Sequence, residues 1–66
     1  SVKMCQVSVY LKDGDKEELL KENITKMEVC PGGLRVSTLF EGVSEYSDMV
    51  LQQIDFSAGK VVLEKQ

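Results

Sequence analysis

The chain has 66 residues, of which 42% are hydrophobic and 29% charged, with 8 Lys and Arg against 11 Asp and Glu. A chain this short buries only about 60% of the surface it exposes when unfolded, which excludes a second core, and its apolar content excludes a disordered polyelectrolyte. The net charge of −3, with the basic residues scattered among carboxylates, disfavours a nucleic-acid role, and no run approaches the ~20 apolar residues of a membrane span.

In chain order, Val7, Val9 and Leu11 alternate with Ser8 and Tyr10, the period of a half-buried strand, and Asp13-Gly14 supplies a reversing turn. From Asp15 to Met27 the signals conflict. Leu20, Ile24 and Met27 sit at helical spacing and Glu17 to Leu20 are good helix formers, so propensity alone gives a short helix. The alternation that begins at Ile24 gives instead a strand through Val29, ended by Cys30-Pro31-Gly32-Gly33.

Beyond that turn, Leu34, Val36 and Thr38 alternate with Arg35 and Ser37, Glu41-Gly42 interrupts, and Val43 to Tyr46 forms a further short strand. Val50, Gln52, Ile54 and Phe56 alternate with Leu51, Gln53 and Asp55 before Ser57-Ala58-Gly59 turns the chain into Val61 to Leu63, a second hairpin. Short strands with closely spaced turns predict a small rolled sheet or barrel, with no repeat and no linker. A domain this small has a thin stability margin, and a second subunit is the simplest supplement.

The chain has no histidine. That removes the commonest general base, the commonest zinc ligand and any Ser-His or Cys-His nucleophile pair, so the chain is not read as an enzyme. Pro31-Gly32-Gly33 lacks the spacing and lysine of a phosphate-binding loop and reads as a hairpin turn. Glu17, Glu18, Glu22, Glu41, Glu45 and Asp48 read as a solvated surface, because nothing in the sequence pairs them in a pocket.

Two cysteines remain, Cys5 and Cys30. They could form at most one intrachain bridge, and with no apolar signal segment ahead of them the expectation is free thiols in the cytoplasm. Cys30 has no second cysteine at Cys-x-x-Cys spacing. Cys5 shares the parity of Val7, Val9 and Leu11, so one reading is a small apolar residue at the edge of the core. The other starts from Met4. With Met4 as initiator, residues 1–3 are an expression remnant and residues 4–66 a single β-barrel domain. Removal of the methionine then leaves Cys5 with a free amine beside its thiol. Thiolate, amine and backbone amide nitrogens form the planar N and S set that suits Ni(II) or Cu(II).

Four stretches in order, Met4-Cys5-Gln6-Val7, Leu39-Phe40-Glu41-Gly42, Gln53-Ile54-Asp55-Phe56 and Gly59-Lys60-Val61-Val62-Leu63-Glu64, resemble the CooT-type nickel-binding proteins. The likeness runs from Met4 to Glu64. It implies an all-β, SH3-like barrel of about seven short antiparallel strands, homodimeric, that takes part in maturing the nickel-iron carbon monoxide dehydrogenase. It also implies Ni(II) binding at the cysteine after the initiator methionine, which is Cys5, and an extended Glu17 to Lys21. Ser1-Val2-Lys3 depart from the pattern, because an amine at Cys5 needs a chain that begins there.

Two other readings compete. A metal-independent, protein-binding chaperone of the hydrogenase-assembly type also begins Met-Cys on a small barrel, but the proline-containing continuation of that family is replaced here by Gln6-Val7-Ser8-Val9. An RNA-binding barrel needs aromatic and basic groups on one face, and the chain offers only Tyr10, Phe40, Tyr46 and Phe56.

Overall fold

A computed structural model describes residues 6–66. It contains seven strands and no helix among the described residues: β1 Ser8–Asp13, β2 Lys16–Lys21, β3 Ile24–Cys30, β4 Gly33–Thr38, β5 Gly42–Ser47, β6 Met49–Asp55 and β7 Lys60–Lys65. They form a four-stranded sheet ordered β2-β1-β7-β6 and a three-stranded sheet ordered β3-β4-β5. The all-β expectation therefore holds.

The helix suggested by propensity over Glu17 to Leu20 is absent, and its place is taken by β2. Pairing explains the outcome. Across the β1–β2 hairpin Asp13 faces Lys16 and Lys12 faces Glu17, two opposite-charge pairs, while Leu19 lies beside Tyr10. Cross-strand pairs of this kind stabilise a sheet, and tertiary pairing outweighs weak helix propensity. Gly14, at φ 63°, closes the turn.

One pairing departs from the antiparallel expectation. β1 and β7 run parallel, from Ser8 beside Lys60 to Lys12 beside Glu64. Parallel neighbours need a long crossover, and here every other strand of the molecule forms it.

The core lies between the sheets. Val9 and Leu11 from β1, Leu34 and Val36 from β4, and Val61 and Leu63 from β7 are buried together, with Val7, Leu20, Ile24, Met27, Tyr46 and Met49 packed around them. The alternation read in β1 and β4 thus identifies their inward faces. In β6 it does not. A bulge at Gln52 puts Leu51 opposite Leu63 and Ile54 opposite Val61, so Leu51 and Ile54 share the inward face rather than Gln52 and Ile54. A bulge inserts one residue and resets the period of two, which no periodicity count can register.

Two corners carry the chain between the sheets. Asn23 links β2 to β3 and Asp48 links β5 to β6, and among the described residues these are the non-glycine positions with positive φ, 59° and 58°. Asn and Asp tolerate this left-handed conformation better than other side chains. Both corners are tied down: the Asn23 carbonyl accepts from the Leu39 amide at 3.0 Å, and Asp48 donates to the Gly32 carbonyl and accepts from the Gln66 amide, each at 2.8 Å. Asn23→Val is expected to cost about 1–3 kcal/mol through backbone strain. Asn23→Gly should remain near the parent, and urea unfolding of the two variants measures the difference.

Candidate functional site

The described chain starts at Gln6 in a clamp. The Ile24 amide donates to the Val7 carbonyl at 3.0 Å, and the Ser8 amide donates to the Gly59 carbonyl at 2.9 Å. The segment entering β1 is thereby held between the β2–β3 corner and the β6–β7 turn. Gly59 is needed there for two reasons. Its φ is +65°, and a Cβ on it would lie 2.4 Å from the Gln6 carbonyl oxygen. The turn that presents Gly59 is fixed by Asp55, whose carboxylate accepts from the Ser57 hydroxyl at 2.8 Å and from the Ser57 and Ala58 amides at 3.1 Å. Those bonds, the Ser57 hydroxyl first, hold the Asp55 carboxyl below its usual pKa.

Beside the clamp lies an open, mainly apolar groove of about 390 Å³, where Val7 meets Ile24 and Met27 of β3 and Ile54 and Phe56 at the end of β6. β3 and β6 are edge strands of their own sheets, so this side of the molecule is not sealed. Ile54 faces inward yet is 42% exposed, and Phe56 is 85% exposed. The apolar strip continues along the same two strands to a second hollow that includes Val29, Met49 and Leu51.

Cys5 lies outside the described residues. In the sequence it directly precedes Gln6, the first described residue. Cys30 is at the far end of β3 from Ile24, six residues or about 20 Å along the strand, half-buried and free. It lines a hollow with Arg35, Glu45 and Tyr46.

Among the described residues no three or more Cys, Asp or Glu side chains gather where they could hold a metal ion. The carboxylates are dispersed: Glu17 pairs with Lys60, Glu41 with Lys21 at 2.8 Å, and Glu45 with Arg35 at 3.3 Å. Glu17 raises the Lys60 pKa, and Lys60 also sits 5.0 Å from the centre of the Tyr10 ring. Tyr46 packs against the core while Phe40 and Phe56 project from turns. The aromatics therefore do not form the single stacking face that the RNA reading requires.

A family model described as the CO dehydrogenase accessory protein CooT matches residues 4–64, nearly the whole chain. The chain belongs to the CooT family. CooT is an accessory protein and not a catalyst, in keeping with the reading of the chain as a non-enzyme. A crystal structure assigned to CooT from Carboxydothermus hydrogenoformans has the same fold, with a TM-score of 0.83 at 24% identity over 94% of this chain and 98% of that one. No curated protein matches. Among the described residues no helix is long and apolar enough to cross a membrane.

Two features of this CooT chain were not legible as site features in its sequence. The Gly59–Gln6 contact joins residues far apart in the chain, and only the glycine in a turn hinted at a close approach. The groove depends on two strands being sheet edges, which no local pattern encodes; Phe56 after Ile54 was the sole trace.

Proposed function

We propose that this CooT protein carries Ni(II) as cargo for the maturation of carbon monoxide dehydrogenase and holds it through Cys5. The observation that carries the reading is the anchored start of β1: the residues just after Cys5 are fixed by two backbone hydrogen bonds and by contact with Gly59. A ligand placed just before such an anchor has its position limited, which lowers the entropy lost on coordination. In a chain that begins at Cys5, thiolate, amine and neighbouring amide nitrogens supply the N and S donors that Ni(II) accepts in planar geometry, without histidine.

The test is an anaerobic Ni(II) titration of the reduced protein followed by near-ultraviolet absorption, on the chain as it stands and on a form trimmed to start at Cys5. Thiolate-to-nickel charge-transfer bands and tight binding are expected in the trimmed form, with both lost in its Cys5→Ser variant. Equal binding by the serine variant would sink the assignment of the ligand.

The reading includes a homodimer in the cytoplasm. The open strip along β3 and β6 supports the dimer, with Val29 75%, Leu51 39% and Phe56 85% exposed. A stable interface takes about 800 Å² from each partner, roughly one sixth of the 4871 Å² surface. Sharing of nickel between two thiolates predicts saturation at one nickel per two chains. Sedimentation should find a dimer that Phe56→Asp converts to folded monomers; a monomeric parent protein would remove this part of the reading.

A further inference from the structure

We draw no further inference here: the strongest candidate, the apolar groove between β3 and β6 lined by Met27, Ile54 and Phe56, belongs to the dimer surface already proposed, and nothing in the structure shows any other occupant.

Discussion

Leu63→Ala is expected to lower the unfolding free energy by about 2–5 kcal/mol, the range for removing a buried leucine whose cavity cannot collapse. The upper part of that range applies here for a geometric reason. Leu63 is fully buried in β7 and has paired neighbours on both sides, Leu11 of β1 and Leu51 of β6. Hydrogen bonds to two strands restrain its backbone, so the surroundings cannot close over the missing atoms. Domains of this size have only a few kcal/mol in reserve, so much of the variant population should be unfolded at ambient temperature. Circular dichroism against urea measures the loss, and the exposed Leu39→Ala serves as the control, since Leu39 is 63% exposed. Similar effects at the two positions would contradict the assignment of the core.

Gly59→Ala is expected to cost about 2–3 kcal/mol, more than a change of turn conformation alone. Gly14 provides the comparison because its φ of +63° is nearly the same as the +65° of Gly59, yet a Cβ on Gly14 would meet nothing within 4 Å. Gly14→Ala should therefore show only the conformational cost, about 1–2 kcal/mol. The excess at Gly59 reports the contact with the Gln6 carbonyl. If Cys5 holds nickel, Gly59→Ala should also weaken Ni(II) binding while Gly14→Ala leaves it unchanged. Equal stability losses in the two variants would show that Gly59 does not clamp the start of β1.

The strands of this protein were largely readable because β1, β4 and β7 each carry buried residues with a period of two or as a short apolar run ended by a turn. Two parts were not. β2 carries the residues of a helix, and its conformation is decided by charges on β1 that a local reading cannot pair with it. The parallel pairing of β1 and β7 joins the two ends of the chain, beyond the reach of any periodicity. The site follows the same division. Cys5 is conspicuous by chemistry, whereas the anchor and the groove beside it are assembled from β3, β6 and the Gly59 turn, and appear only once the sheet order is known.

The pairing of the first strand with the last also sets an order of events during synthesis. β1 has no partner on its β7 side until residues 60–65 are made. The start of β1 is locked against Gly59 only after the intervening strands have been made. Contacts of such long sequence separation form slowly. The clamp on Gln6 and Val7 is therefore among the last contacts to close, and whatever depends on it is a property of the folded chain.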